Sequence, residues 1–234
     1  GIRDVARSRG LGDVYKRQLI NYTVERSRRR TMAIQVDAFG KVKVKAPLNI
    51  SQQRIEQFIL QKQKWIASTL DRVNGDLLAF QDLLELRAVM LNGNRYPIQY
   101  KTGRNTAFKN GTLFLPEQNA QPALARWLKK QAGLYLPKRC RELAELLRLE
   151  FSNISVKGFR SKWGSCNSRK EISFNFRLIM MNQYCIDYVI MHELLHLVEL
   201  NHSKRFWNLM AQVMPDYKLY RAELKKYNIL SRFP

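Results

Sequence analysis

Residues 192–196 read His-Glu-Leu-Leu-His, and residues 197–202 continue Leu-Val-Glu-Leu-Asn-His. This stretch contains all three histidines of the chain. Side chains four residues apart lie on one face of a helix, so His192 and His196 can bind the same metal ion. Glu193 follows the first histidine, a position that suits a general base acting on a metal-bound water. The spacing therefore predicts the metal site of a hydrolase on a helix.

A catalytic zinc site usually has three protein ligands, and His202 is the predicted third ligand. A turn at about Asn201 would bring its imidazole back to the helix, because asparagine tolerates the left-handed conformation. Carboxylates are the alternative third ligands, namely Asp216 or Glu223 and, as a weaker candidate, Glu199. Glu199 is otherwise expected to face solvent or to hold a ligand imidazole through the ring nitrogen that does not bind the metal.

The predicted helix runs from about residue 183 to residue 200 and is apolar nearly all round, which is typical of a buried helix. Two imidazoles and a carboxylate on a buried helix need partners, and a metal ion supplies one. The alternative is an amphipathic surface helix with polar histidines, which fits this apolar pattern poorly.

The composition indicates a folded, strongly basic protein. With 234 residues, of which 45% are hydrophobic, the chain can bury a substantial core. A formal charge of +22 favours anionic partners such as nucleotides or nucleic acid, although a solvated basic surface is the alternative. The chain has no run of about 18 apolar residues, so neither a transmembrane helix nor a membrane partner is expected. No secretory signal is visible, and three cysteines without a Cys-x-x-Cys pair fit reduced thiols in the cytoplasm.

The pattern of apolar residues divides the chain into three parts. Residues 1–18 show no period, and residues 12–18 within them resemble translated sequencing-adapter sequence, so we expect a non-native or disordered extension. Residues 19–118 are predicted to be a β-rich N-terminal portion with one long helix, which Asn74-Gly75 should end. Residues 119–234 are predicted to be the catalytic portion, whose first helix should kink or divide at Pro137.

Local signals also predict helix ends and turns. Ser51, Asn182 and Ser203 are predicted helix N-caps. Trp65 is expected in the core of the first long helix rather than on a nucleic-acid surface. The dipeptides Asn92-Gly93 and Asn110-Gly111 are typical of tight turns between strands.

Several further motifs accompany the histidines. Residues 160–166 read Arg-Ser-Lys-Trp-Gly-Ser-Cys, and residues 188–191, directly before the histidine motif, read Tyr-Val-Ile-Met. After it, residues 201–207 read Asn-His-Ser-Lys-Arg-Phe-Trp and residues 214–217 read Met-Pro-Asp-Tyr. Near the N-terminus, residues 28–30 are arginines, and residues 40–47 read Gly-Lys-Val-Lys-Val-Lys-Ala-Pro. Together with the histidine motif, they resemble the YgjP-like metallopeptidase family, which is akin to the WLM and SprT-like zincins. The resemblance covers nearly everything after residue 18.

The resemblance implies an α+β fold with a zincin-like metallopeptidase core, in which residues 19–234 form one domain. It implies that His192, His196 and His202 hold one zinc ion per chain and that Glu193 is the catalytic residue, with a peptide or protein as substrate. In similar zincins an extended peptide lies along an edge strand, for which residues 171–176 are the candidate.

The sequence departs from related patterns at two places. Glu199 stands where metzincins have a glycine, which excludes a close metzincin. Asn182 stands where the YgjP-like family often has a proline before the metal helix, and asparagine can cap the helix instead.

Candidate substrate-binding residues lie in the second motif. Arg160 and Lys162 could bind a substrate anion or simply be solvated. Trp163 could contact substrate, or it could fill the core of a packed turn in which Gly164 permits the bend. Cys166 is expected to be neither ligand nor nucleophile, because three histidines already suffice for the metal.

The sequence therefore predicts an enzyme, a zinc-dependent metallopeptidase of the His-Glu-x-x-His type. The first alternative is a metal-dependent nucleoside triphosphate pyrophosphatase, an activity attributed to some YgjP-like proteins, although the chain has no Gly-rich phosphate loop. The second is a nucleic-acid-binding protein with a structural zinc, although structural sites usually have four ligands, often cysteines.

Overall fold

The structure of the protein is a computed structural model that describes residues 5–7 and 20–233. The fold is α+β, as predicted, with three small mixed sheets and several helices among the described residues. The chain divides into two compact units, residues 1–79 and residues 80–234. The predicted boundary at residue 119 stays a prediction. No helix in the described part of the chain is both long and apolar enough to cross a membrane.

In its described residues, the first unit is a four-stranded sheet followed by two helices. Alternate residues of its fourth strand are buried, as the period of two predicts: Val42, Val44 and Ala46 are at most 3% exposed, and Lys43 between them is exposed. They pack with Ile55 and other apolar helix residues into one core. Within its described residues, the unit contains β1 (Val5–Arg7), β2 (Tyr22–Ser27), β3 (Ala33–Val36), β4 (Val42–Pro47), α1 (Gln52–Gln61) and α2 (Gln63–Ala79), with strand order β1-β2-β4-β3.

Only a short part of the predicted N-terminal extension is described. Strand β1 lies within residues 1–18 and pairs antiparallel with β2. The rest of the extension lies outside the described residues, so its non-native origin stays a prediction.

Two helices replace the single long helix that was predicted. Ser51 caps α1, as predicted, by accepting a hydrogen bond from the Arg54 backbone N–H at 3.3 Å. The prediction that Asn74-Gly75 ends the helix was wrong, because α2 continues to Ala79; an interior glycine costs a helix only about 1 kcal/mol. The prediction that Trp65 lies in the core was also wrong, since Trp65 is 49% exposed and Ile66 is buried instead. The buried residues Ile55, Ile59, Ile66 and Val73 form one stripe at helical spacing across both helices, and Trp65 lies at the edge of this stripe.

The second unit contains the other two sheets and all of the candidate site residues. Two hairpins turn at Asn92-Gly93 and Asn110-Gly111, where all four residues have positive φ, as the predicted tight turns require. Strand order is β5-β6-β8-β7 in one sheet and β10-β11-β9 in the other. Its described elements are α3 (Gln81–Leu84), β5 (Ala88–Leu91), β6 (Asn94–Lys101), β7 (Ala107–Lys109), β8 (Thr112–Pro116), α4 (Ala120–Leu147), β9 (Asn153–Lys157), β10 (Gly164–Cys166), β11 (Glu171–Asn175), α5 (Gln183–Leu195), α6 (Lys204–Val213), α7 (Tyr217–Leu224) and the 3-10 helices Phe176–Met180 and Lys226–Arg232.

Helix α4 supports the helix that carries the histidines. Pro137 lies inside α4 without dividing it. The buried stripe of α4 lies on both sides of the proline, and its packing offsets the roughly 3 kcal/mol that an interior proline costs. Arg139 of α4 donates two hydrogen bonds of 2.8 Å each to the Asp187 carboxylate of α5. This paired contact fixes α5 against α4.

Candidate metal centre

Helix α5 carries the first part of the histidine motif. Asn182 caps it, as predicted, by accepting a hydrogen bond from the Cys185 backbone N–H at 2.9 Å. Nearly every residue of α5 is buried, as the apolar pattern predicted. The helix ends at Leu195, earlier than predicted, but His196 still has right-handed helical angles, φ −66° and ψ −13°. The geometry that places His196 one turn above His192 is therefore kept.

A compact turn brings His202 back towards the helix. The backbone N–H groups of Leu197 and Val198 donate to carbonyls three residues earlier, each at 3.0 Å, which tightens the chain as it leaves α5. The prediction of a left-handed Asn201 was wrong, because Asn201 is not among the residues with positive φ. The backbone hydrogen bonds of Leu197 and Val198 already turn the chain directly after α5. Ser203 then caps α6, as predicted, by accepting from the Phe206 backbone N–H at 3.3 Å.

The side chains of the three histidines converge. Their candidate ligand nitrogens lie within 4.8 Å of one another, and the Nε2 atoms of His192 and His202 are 2.9 Å apart. In the described part of the chain, no other group of three or more potential metal ligands converges in this way. The carboxylates of Asp216 and Glu223, the alternative third ligands, do not join this cluster.

The imidazoles are held in a form that can bind a cation. The Nδ1 atom of His196 donates to the Glu199 backbone carbonyl at 2.9 Å, which leaves Nε2 with a free lone pair. Glu199 thus holds this ring through its backbone rather than through its carboxylate. Burial lowers the pKa of His192 to about 3, helped by the charges of His196, His202 and Arg221. The buried Nδ1 of His192 has no hydrogen-bond partner in the described structure. Three converging imidazoles fit a divalent metal ion such as zinc.

Aromatic rings of α6 surround the three histidines. Phe206 stacks on His196 with ring centroids 4.6 Å apart, and Trp207 stacks on His202 at 5.7 Å. Trp207 also stacks on Tyr217, with ring centroids 5.5 Å apart. These contacts limit the rotation of the imidazoles and so keep their nitrogens converging.

Glu193 is a buried carboxyl beside the histidines, only 5% exposed. Burial raises its pKa to about 7, while the charge of Lys162 and a hydrogen bond from the Cys166 backbone N–H lower it. A carboxyl in this range can accept a proton and return it near neutral pH.

The edge strand β10 lies against Glu193. The prediction of a packed turn at Gly164 was wrong, because residues 164–166 form β10 and pair antiparallel with β11. The prediction that residues 171–176 form an edge strand was also wrong. Strand β11 is central, because β9 pairs with its other side in parallel. The strand beside the candidate site is therefore β10.

Gly164 is a site residue whose contact with Glu193 the sequence did not predict. A Cβ atom at Gly164 would lie 2.6 Å from both Cγ and Oε1 of Glu193, closer than real side chains approach. The glycine is therefore needed to leave room for the Glu193 side chain.

We expect Gly164→Ala to displace Glu193 and to lower kcat by about 10²-fold, since a 1 Å misplacement of a reacting group can cost that much. The measurements are kcat of the zinc-loaded variant and its thermal unfolding temperature. Gly158→Ala is the matched control, because its Cβ would meet the Phe176 ring at an ordinary 3.5 Å. Unchanged activity in Gly164→Ala would mean that Glu193 does not need its present position.

A cavity of about 310 Å³ opens beside His192 and Glu193. Of the predicted substrate-binding residues, Lys162 and Trp163 line it. Arg160 is exposed and is not among the lining residues, so its role in binding stays a prediction.

Two further cations line the cavity, Arg221 and Lys225, and neither was predicted from the sequence. Arg221 lies in α7 and Lys225 directly after it. Both are separated along the chain from the histidine motif, and neither belongs to a motif of its own. Cys166 lies near Glu193, but burial, followed by the Glu193 charge, raises the pKa of its thiol to about 11. A protonated thiol is a poor nucleophile. That Cys166 is neither ligand nor nucleophile stays a prediction.

Comparison with known proteins identifies the family of the chain. A family model described as YgjP-like, metallopeptidase domain, matches residues 30–227. No match was found among curated proteins or among solved structures. The match spans most of the chain and includes the histidine cluster, Glu193 and the strand β10. The chain therefore belongs to the YgjP-like metallopeptidase family, a family of metal-dependent peptidases.

Proposed function

We propose that this protein is a zinc-dependent peptidase in which His192, His196 and His202 hold one zinc ion and Glu193 is the general base. The observation that carries the proposal is the convergence of three histidine nitrogens within 4.8 Å beside a buried carboxyl group. Three protein ligands are typical of catalytic zinc sites, which keep a fourth position open, whereas structural sites are closed by four. This favours an enzyme over a nucleic-acid-binding protein with a structural zinc.

The residues at and around the histidine cluster have different roles in catalysis. Zinc bound there would supply Lewis acidity that polarises the scissile carbonyl and lowers the pKa of water to about 7. Glu193 accepts the proton of the attacking water and returns it to the leaving amine, a contribution of typically about 10²–10⁴-fold. The Lys162 charge and the Cys166 backbone N–H stabilise the carboxylate form that accepts this proton.

The substrate is an extended peptide that lies along β10. In the described structure β10 pairs only with β11, so the backbone groups of its other edge have no strand partner, although the Cys166 N–H already donates to Glu193. An extended peptide can add to such an edge through main-chain hydrogen bonds. Gly164 would place the scissile bond close to Glu193, because this glycine lies directly against the Glu193 side chain.

Hydrolysis of nucleoside triphosphates is the second candidate function. Lys162, Arg221 and Lys225 line the cavity beside Glu193, and such cations could neutralise phosphate charge. The same site would then attack phosphorus instead of a carbonyl carbon.

The testing experiment incubates zinc-loaded protein with denatured casein and, separately, with the four nucleoside triphosphates. We expect new peptide termini from casein, loss of this activity with a chelator, its recovery with zinc, and no release of pyrophosphate. Cobalt and manganese in parallel test the choice of metal, because imidazole ligands also suit other transition metals. Pyrophosphate release without any peptide cleavage would instead support the second candidate.

A further inference from the structure

We infer that the cavity beside Glu193 binds a carboxylate group of the peptide substrate. The inference rests on the proposed function, because it names a property of the substrate that the peptidase would cleave. The cavity measures about 310 Å³ and opens directly at Glu193 and His192. A group bound in it would therefore belong to a residue next to the scissile bond or close to it.

Positive charge dominates the lining of this cavity. Lys162, Arg221 and Lys225 contribute three cations, whereas Glu193 is the one acidic residue among the lining residues. Among the residues that the structure describes, none of these three cations forms an ion pair with a carboxylate. An anion entering the cavity would therefore gain attraction without breaking an existing ion pair.

Arg221 is held in position for this role. Its guanidinium lies over the Trp207 ring, 4.6 Å from the centroid. Trp207 itself also stacks with His202 and with Tyr217, so the ring that Arg221 contacts is held by its own aromatic neighbours. Arg221 lines the same cavity as His192, so its charge lies beside the histidine cluster. A fixed guanidinium can bind a carboxylate through two parallel hydrogen bonds.

The remaining walls suit the carbon atoms of a side chain. Val189 and Leu224 are apolar, and Trp163 adds an aromatic surface. A glutamate or aspartate side chain could contact this apolar wall with its methylene groups and reach the cations with its carboxylate. The terminal carboxylate of a peptide has the same chemistry. The two sources require different peptides to tell them apart.

The experiment starts from a mixture of unstructured synthetic peptides, in which mass spectrometry finds the cleaved bonds. Matched peptides then carry glutamate or glutamine at the enriched position, each with a free or an amidated C-terminus. We expect the zinc-loaded wild type to prefer a carboxylate over its amide by about 10–100-fold in kcat/KM, the range of one or two charged hydrogen bonds. Preference for glutamate assigns the site to a side chain, and preference for a free terminus assigns it to the chain end.

Variants test whether the cavity causes this preference. Arg221→Gln should abolish most of the preference for the carboxylate peptide. Lys225→Gln should reduce the same preference, and because Lys225 is exposed, this variant still tests the cavity if Arg221→Gln folds poorly. Lys218→Gln is the matched control, because Lys218 is an exposed cation of the same helix that does not line the cavity. Equal cleavage of carboxylate and amide peptides by the wild type would overturn the inference while leaving the peptidase function intact.

A measurement of peptide binding tests this inference without requiring cleavage, and so separates it from the proposed function. Calorimetry would measure the affinity of the same peptides for the zinc-loaded Glu193→Gln variant, with and without Arg221→Gln. If no peptide is cleaved, tighter binding of carboxylate peptides that depends on Arg221 would still support the cavity assignment. Equal binding of carboxylate and amide peptides would overturn it.

Discussion

Replacing Glu193 with glutamine is expected to lower kcat for peptide hydrolysis by about 10²–10⁴-fold, the usual contribution of a general base. Glutamine keeps the size of the side chain and can still accept the hydrogen bond from the Cys166 backbone N–H. The fold and the histidine cluster should therefore be preserved, so the variant should still bind one zinc ion. The measurements are kcat with a cleaved peptide and zinc content by elemental analysis.

Glu199→Gln is the matched control for this variant. It makes the same chemical change in the turn after α5, at a carboxylate whose ion partner is Arg205, 3.9 Å away. The contact of Glu199 with His196 uses the backbone carbonyl, which the substitution leaves in place. We expect near-normal kcat and zinc content. A Glu193→Gln variant as active as the wild type would refute the role of Glu193 as general base.

Replacing His202 with alanine is expected to weaken zinc binding by more than the roughly 10–100-fold that loss of a supporting hydrogen-bond partner costs. The substitution removes one of the three nitrogens that converge within 4.8 Å and leaves only two protein ligands. Activity at limiting zinc should fall in parallel. The measurement is zinc affinity, by competition with a chromogenic chelator.

The alternative third ligands supply the controls for His202. Glu223 forms an ion pair with Lys226 at 2.6 Å, and Asp216 precedes α7 without joining the cluster. Asp216→Ala and Glu223→Ala should therefore keep wild-type zinc affinity. If one of them lost zinc while His202→Ala kept it, that carboxylate would be the third ligand.

Features that depend on neighbouring residues were predicted well. The caps at Ser51, Asn182 and Ser203 form as predicted, because a cap needs only a side chain and a backbone N–H a few residues away. The turn at Asn92-Gly93 also forms as predicted, because its positive φ angles are a local requirement.

Features that depend on the phase of a helix or the order of strands were predicted less well. Trp65 is half-exposed because it lies at the edge of the buried stripe that contains Ile59 and Ile66, and the apolar pattern alone does not show how wide the buried stripe is. Strand β11 looked like an edge strand because its sequence does not show which strands pair with it. Pairing partners lie far apart along the chain, so local patterns leave their order open.

The sequence by itself determined the family, the helical spacing of His192 and His196, and the position of Glu193 next to them, because helical geometry follows from residues within one turn. Only the tertiary structure brought Gly164 against Glu193 and placed Arg221 and Lys225 around the same cavity. These residues lie on a strand and a helix separated along the chain from the histidine motif. Their approach depends on how the sheet and the C-terminal helices pack against α5, and no short-range pattern records that packing.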